Sequence, residues 1–300
     1  MLKIAYHPIY KHSLPEGHRF PMLKYELLPK QLLHEGTCTA ENFFEPEIPN
    51  DKYIVAVHEP EYFYDLLNLK ISSRDARKIG FPLTEDLIER ERIIADGTIQ
   101  ACRFAIENGI AMNIAGGTHH AYTDHGEAFC MLNDQAIGAR YLQARQLAKK
   151  ILIVDLDVHQ GNGTAEIFGN DTSVFTFSMH GASNYPFKKE RSDLDIPLAK
   201  YTDDTTYLSL LKQTLPRLIS EEKPDFIFYL AGVDIIGSDK LGTLALSIDG
   251  CKERDAFVLE TCHRLQIPVQ CSMGGGYSPA IKTIVEAHAN TYRLAQQIYF

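Results

Sequence analysis

Seven short apolar runs punctuate the chain, at residues 2–6, 53–57, 110–115, 151–155, 174–177, 226–231 and 269–272. Their length and composition read as buried strands. Longer segments with apolar residues at helical spacing lie between many of them, at 85–108, 132–149, 203–220, 249–265 and 279–298. Strands alternating with helices predict an α/β fold, in which helices cover both faces of a parallel sheet. No linker rich in Ser, Gly or Pro, no low-complexity stretch and no repeat interrupts the pattern, so residues 1–300 are expected to form one domain.

The polar motifs sit where the apolar runs end. Gly116-Gly117-Thr118-His119-His120 follows the run at 110–115, and Asp155-Leu156-Asp157-Val158-His159 closes the run at 151–155. Gly232-Val233-Asp234 follows 226–231, and Gly274-Gly275-Gly276-Tyr277 follows 269–272. Open parallel sheets bind ligands beyond the carboxyl ends of their strands. Four charged or glycine-rich motifs at four such ends predict one shared cleft.

Asp155, Asp157 and His159 are spaced two apart, so in extended chain they share a face. Carboxylates beside an apolar run are costly unless paired or bound to a cation. Asp157 and His159 offer carboxylate oxygen and imidazole nitrogen, a mixture that suits Zn²⁺, and Asp234 can be a third ligand. Three protein ligands leave a position open for water, the pattern of a catalytic zinc site. Taken alone, the same residues also fit an Asp/His hydrogen-bond network capping the sheet. A two-metal manganese site needs further carboxylates. Gly161 stands two residues after His159, and Asp239 has the wrong spacing, so one metal is favoured.

The tandem imidazoles of His119 and His120 could take a proton from an attacking water and return it to a leaving amine. Each needs a partner to fix its tautomer; Asp155 and Asn162 are at hand. Tyr277, presented by three glycines, could donate to an oxyanion, although an aromatic after glycines also serves simply as packing. No G-x-S-x-G elbow, G-K-[ST] loop or G-x-G-x-x-G fingerprint is present. Cys130, between Phe129 and Met131, reads as a wall residue rather than a nucleophile. The constellation describes metal-assisted hydrolysis.

Composition narrows the partners. A net charge of -9 argues against direct nucleic-acid binding and is compatible with a cationic substrate. No run reaches transmembrane length. The six cysteines, at 38, 102, 130, 251, 262 and 271, form no C-x-x-C pair and read as reduced core residues of a cytoplasmic protein.

The motifs GGTHHA (116–121), FCMLND (129–134), DLDVHQGNG (155–163), AGVDIIGSDKLG (231–242) and GGGY (274–277) resemble, in order, those of the histone deacetylase superfamily. Asn162, where class I enzymes have Asp, resembles class II and class IV; the Tyr185-Pro186 pair and the short chain look most like class IV and its bacterial relatives. The resemblance implies the arginase/deacetylase fold, with an eight-stranded parallel sheet, and zinc-dependent hydrolysis of N-acyl-lysine amides. It implies Asp157, His159 and Asp234 as zinc ligands, with Fe²⁺ able to occupy them. His120 becomes the general base and acid, His119 its electrostatic partner held by Asp155, and Tyr277 the oxyanion donor. Phe129 and Tyr185 become the tunnel walls, with Ala128 and Gly275 also on the substrate side. A structural K⁺ near Asp155, Asp157, His159, Ser178 and Met179 is implied, and Arg19 looks like the arginine of the internal exit channel. Class IV resemblance extends the expected acyl groups to long fatty chains; acylated small amines such as acetylpolyamines are the alternative substrates, and a non-catalytic metal-binding scaffold the alternative role. Three departures stand out. Ala128 replaces a glycine, residues 79–82 replace the rim aspartate that clamps peptide backbone, and Asn162 carries no charge to stabilise an imidazolium at His120.

Overall fold

A computed structural model describes residues 1–300. Eight strands make one sheet: β1 (Lys3–Ala5), β2 (Phe43–Phe44), β3 (Ile110–Asn113), β4 (Ile151–Asp155), β5 (Val174–Gly181), β6 (Leu194–Leu198), β7 (Phe226–Leu230) and β8 (Val269–Ser272). Their spatial order is β2-β1-β3-β8-β7-β4-β5-β6, and every pairing is parallel. Parallel neighbours need crossovers. The helices in them are α1 (Lys24–His34), α2 (Asp51–Ile54), α3 (Pro60–Leu67), α4 (Ser73–Ile79), α5 (Glu85–Asn108), α6 (Asp134–Ala144), α7 (Asn162–Phe168), α8 (Asp204–Glu222) and α9 (Ile248–Leu265), and α10 (Ile281–Tyr299) follows the last strand. Helix α5 packs on β1, β3 and β8 and against α6, whereas α10 lies between α1 and α9, with α8 beyond α9.

Local chemistry sets the helix ends. Thr84, Asp203 and Ser247 each accept an amide N–H from the first turn of α5, α8 and α9, satisfying a donor the helix cannot. The middle strands are apolar on both faces because both are covered: residues 151–154 and 226–230 are fully buried.

Two readings from the sequence are corrected. Residues 53–57 are not a strand: α2 runs through Ile54, capped by the Asn50 side chain on the Lys52 N–H, and the apolar residues face α6 instead of a sheet. The helix read at 132–149 stops at Ala144; Gln146 then takes a left-handed conformation, φ 56°. The edge strands β2 and β6 were not anticipated. The first has only two residues, and the second carries Asp195 and Pro197, which read as loop.

The topology delivers the predicted cleft. β3, β8, β7 and β4 are consecutive neighbours, so the four motif-bearing segments leave the sheet side by side at its carboxyl edge.

Candidate active site

Asp155 closes β4, and its carboxylate organises the chain beyond: Oδ1 accepts the Asp157 N–H at 3.1 Å and Oδ2 meets His119 Nδ1 at 2.7 Å. Asp157 in turn accepts the His159 N–H at 3.0 Å. The loops after β7 and β8 are stitched to this segment. Val158 N–H donates to Asp234 at 3.0 Å, and Gly275 N–H donates to Asp157 Oδ2 at 2.9 Å. Gly275 has to be glycine, because a Cβ there would collide with the Asp234 and Asp157 carboxylates.

Asp157, His159 and Asp234 are buried and bring their donor atoms within 4.8 Å of one another, the one such group of three in the chain. His159 Nδ1 lies 3.0 Å from Asp157 Oδ1 and 3.2 Å from Asp234 Oδ2. Tetrahedral zinc ligands, each about 2.0–2.1 Å from the ion, stand about 3.3–3.4 Å apart. The donor set and its spacing therefore fit a divalent ion of that kind. The charges point the same way. Burial, then the Asp157 charge, pushes Asp234 up to about 7. Burial would lower His159, yet the two carboxylates outweigh it and raise the imidazole to about 10. Two carboxylates crowded around one imidazole in a water-poor site are a cation-binding arrangement.

The histidine pair comes from the turn after β3, where Gly117 holds φ 76°, a region glycine enters without steric cost. The two rings lie 4.1 Å apart between centroids but differ in environment. Burial disfavours charge on His119, but Asp155 overrides it and raises that imidazole. His120 is lowered well below the ordinary histidine range by burial and then by His119 and His159, and its Nδ1 lies 2.5 Å from Asn162 Oδ1. One ring is suited to hold positive charge and the other to accept a proton. The Tyr277 phenol is raised well above its usual value by burial and the nearby carboxylates, so it stays protonated and able to donate. Asp239 is outside the metal group; it accepts the Tyr277 N–H at 2.6 Å and fixes that residue's backbone.

Two connected cavities reach these groups. A wide outer one of about 430 Å³ is lined by Ala128, Phe129, Tyr185, His120, His159 and Tyr277, among others. A small inner one of about 40 Å³ extends behind them to Phe20, Tyr25, Arg90 and Ile94. Ala128 and Phe129 both have left-handed backbone, φ 44° and 70°. Alanine at the first of these pays a steric cost that glycine avoids. The segment is held by hydrogen bonds from the Ala128 and Phe129 N–H groups to the carbonyls of Lys78 and Ile79. In place of a rim aspartate, Phe81 packs on Phe20 and Phe129.

Arg19 is not an exit-channel residue. It is exposed at the outer cavity, with its guanidinium 5.0 Å from the Phe129 ring centroid. The buried cations toward the interior are instead Lys24, which donates to the Gly274 carbonyl at 3.0 Å, and Arg90. Cys130 is no nucleophile, since burial pushes its thiol well up. All six cysteines are buried and unpaired.

Three supporting residues escaped sequence reasoning. Asp134 accepts from the Gly117 and Thr118 N–H groups and from the hydroxyls of Thr118, Thr98 and Ser272, anchoring the histidine turn. Arg254, fully buried on α9, donates to the carbonyls of Leu156 and Gly232, next to Asp157 and two residues before Asp234. Glu127 accepts from the Tyr185 hydroxyl and the Asn162 amide. Asp134 lies inside the FCMLND motif, which was a usable signal. Arg254 sits mid-helix among other charges and offered none.

The histone deacetylase domain family matches residues 18–292. An uncharacterized protein of Picosynechococcus is 45% identical over 99% of both chains. Histone deacetylase 2 of Arabidopsis thaliana is 28% identical over 89% of this chain and 72% of its own. The acetoin utilization protein AcuC of Staphylococcus aureus is 28% identical over 83% of this chain and 69% of its own. In structure, the chain resembles the crystallised HDA15 HD domain with a TM-score of 0.83, at 19% identity, over 99% of this chain and 88% of that one.

Proposed function

The chain belongs to the histone deacetylase family, and from that premise we propose that it is a zinc-dependent hydrolase of N-acyl-lysine amides, with Asp157, His159 and Asp234 as the metal ligands. The observation that carries the proposal is the contrast within the histidine pair. His119 is raised by Asp155, and His120 is lowered and backed by a neutral amide, beside a buried Asp-His-Asp group.

Zn²⁺ bound there would supply Lewis acidity toward the amide carbonyl and make a water acidic enough to attack near neutral pH. The chain's own groups do the rest. His120 donates from Nδ1 to Asn162 Oδ1, which leaves Nε2 free to take the water's proton. The water oxygen bonds to the carbonyl carbon while the Tyr277 hydroxyl donates to the oxygen on which charge develops. The carbon–nitrogen bond then breaks as His120 passes its proton to the leaving amine, giving a carboxylate and a lysine amine. Asp155 favours the charged form of His119 against burial, and that charge would offset negative charge in the buried site.

The aromatic walls of Phe129 and Tyr185 suit a lysine stem. The inner cavity of about 40 Å³ accommodates an acetyl-sized group and favours short acyl chains over fatty ones. The alternative ion is Fe²⁺, which the same ligands accept. A structural K⁺ is proposed near Asp155 and Ser178, which are register partners on β4 and β5. Asn162 supports a class IV-like assignment. Residues 1–300 are proposed to act as one catalytic domain in a reducing cytoplasm, in keeping with six unpaired cysteines. No helix is long and apolar enough to cross a membrane.

The test is a panel of Nε-acyl-lysine peptides from acetyl to myristoyl, assayed with zinc-loaded protein. The proposal expects turnover that is fastest for the shortest acyl groups. Zinc-loaded protein that hydrolyses neither these peptides nor an acetylpolyamine is a scaffold, and turnover of the acetylpolyamine alone selects the small-amine reading.

A further inference from the structure

The outer cavity carries a charge of its own. Among the residues that line it, Arg19 and Lys78 are the only permanently charged side chains, and no carboxylate is present. Arg19 makes no ion pair; its guanidinium rests over Phe129, so its charge sits directly on the tunnel wall. Lys78 lies in the last turn of α4, and its one ion-pair partner is Asp75, 3.5 Å away, with both side chains well exposed. Such an exposed pair neutralises little.

The surrounding segments add to this. Helix α4 holds Arg74, Arg77 and Lys78 against Asp75 alone. Beyond the lining residue Phe187, which is 91% exposed, residues 188–191 read Lys-Lys-Glu-Arg. Glu127, outside the lining, accepts from the hydroxyl of the lining residue Tyr185 and from the Asn162 amide and pairs with His125. The chain as a whole has a net charge of -9, so this cationic mouth runs against the protein's overall sign.

We infer that the mouth selects acylated amines bearing a carboxylate next to the acyl-lysine stem, and that Arg19 and Lys78 are the residues that read it. The inference rests on the proposed deacylase reading and deepens it. A stem inside the Phe129–Tyr185 walls leaves the substrate's next group at the level of Arg19. A carboxylate there is attracted. The ammonium of an acylated polyamine, at the same depth, is repelled. Charges at the rim of a low-dielectric cleft act through encounter and orientation, and salt weakens them. Two sources supply the same carboxylate: an Asp or Glu flanking acyl-lysine in a peptide, or the α-carboxylate of free acyl-lysine.

The experiment compares kcat/KM of zinc-loaded protein on acetyl-lysine peptides with acidic, neutral and basic flanks. Added to these are α-amine-blocked Nε-acetyl-lysine as free acid and as carboxamide, and N-acetylputrescine. The expected order is acidic above neutral above basic, with acidic and basic flanks separated roughly ten-fold at low salt and N-acetylputrescine last. The spread contracts at high salt, and Arg19→Glu with Lys78→Glu reverses the order. A larger gain from the α-carboxylate than from acidic flanks identifies the small acid as the source; the converse identifies the peptide. A flat order, a preference for basic flanks or the polyamine, or an order kept by the double variant overturns the inference. Should zinc-loaded protein hydrolyse none of these, the deacylase reading fails. Equilibrium binding of fluorescent acidic and basic acetyl-lysine peptides then decides the mouth separately: tighter acidic binding supports it, and equal binding overturns it.

Discussion

The Nδ1 atom of His120 lies 2.5 Å from the side-chain oxygen of Asn162, a neighbour that carries no charge. The amide's orientation is fixed from behind, since its nitrogen donates to the Tyr122 hydroxyl at 3.0 Å and to Glu127 at 3.3 Å. The oxygen must therefore face His120, and the ring must present a proton to it.

In the proposed mechanism this pairing sets the acid limb of the reaction. Burial chiefly, then the charges of His119 and His159, lowers His120. Asn162→Asp places a negative charge in contact with the ring and favours the imidazolium. Because the base must be neutral to work, the acid limb of kcat/KM moves to higher pH, by about one to three units. A pH–rate profile measured from pH 5 to 9 checks the shift; an unmoved limb removes the role given to Asn162.

Burial, then the Asp157 and Asp234 charges, keeps the Tyr277 phenol protonated, and Asp239 holds its backbone in place. Tyr277→Phe keeps the ring that packs on Phe20 and Phe129 and deletes only the donor. The expected loss in kcat is about 10²- to 10³-fold, with zinc content and thermal unfolding unchanged. Full activity in the variant assigns the oxyanion to another group.

Arg254 ties the two ligand-bearing loops to α9. It donates to the carbonyls of Leu156 and Gly232 and pairs with fully buried Asp255 at 2.8 Å. Arg254→Met leaves those carbonyls and the carboxylate without their partner, a loss of roughly 3–5 kcal/mol. Denaturant unfolding measures it. A companion Asp255→Asn change should recover part of the loss, and stability within about 1 kcal/mol of the parent in the single variant contradicts the assignment.

His58 is buried and bridges two segments that flank residues 123–132. Its Nδ1 donates to the Tyr122 carbonyl at 2.8 Å, and its Nε2 accepts the Asn133 N–H at 2.9 Å. Burial depresses it to about 4. Its unfolded value is about 6.5, so between the two the unfolded chain binds the extra proton. The stability it contributes is complete above pH 6.5 and is lost as pH falls toward 4, about 3 kcal/mol in all. The stability gap between the parent and His58→Gln should therefore narrow over that window. A gap independent of pH would show that the ring does not titrate this way.

Legibility from sequence followed chemistry more than geometry. The strands that carry the site are apolar on both faces and stood out, as did the polar motifs at their ends. Residues 53–57 failed because a five-residue apolar run does not distinguish strand from helix, and only the Asn50 cap decided it. Arg19 failed for a different reason. A lone arginine near the amino terminus gives no indication of which side of an aromatic wall it reaches; here it lies exposed, over the Phe129 ring. Asp134 and Arg254 act by accepting from and donating to backbone groups distant in sequence, which no local pattern records.

Asp157, His159 and Asp234 are proposed to hold one metal ion that makes amide hydrolysis possible. Metal-stripped protein titrated with Zn²⁺, with acetate release from an acetyl-lysine peptide followed in the same samples, tests it most directly. The account predicts activity rising in proportion to bound zinc and saturating at one ion per chain, and neither binding nor turnover in Asp234→Ala. Hydrolysis that is undiminished in the stripped protein, or a fully zinc-loaded chain that releases no acetate, would contradict it.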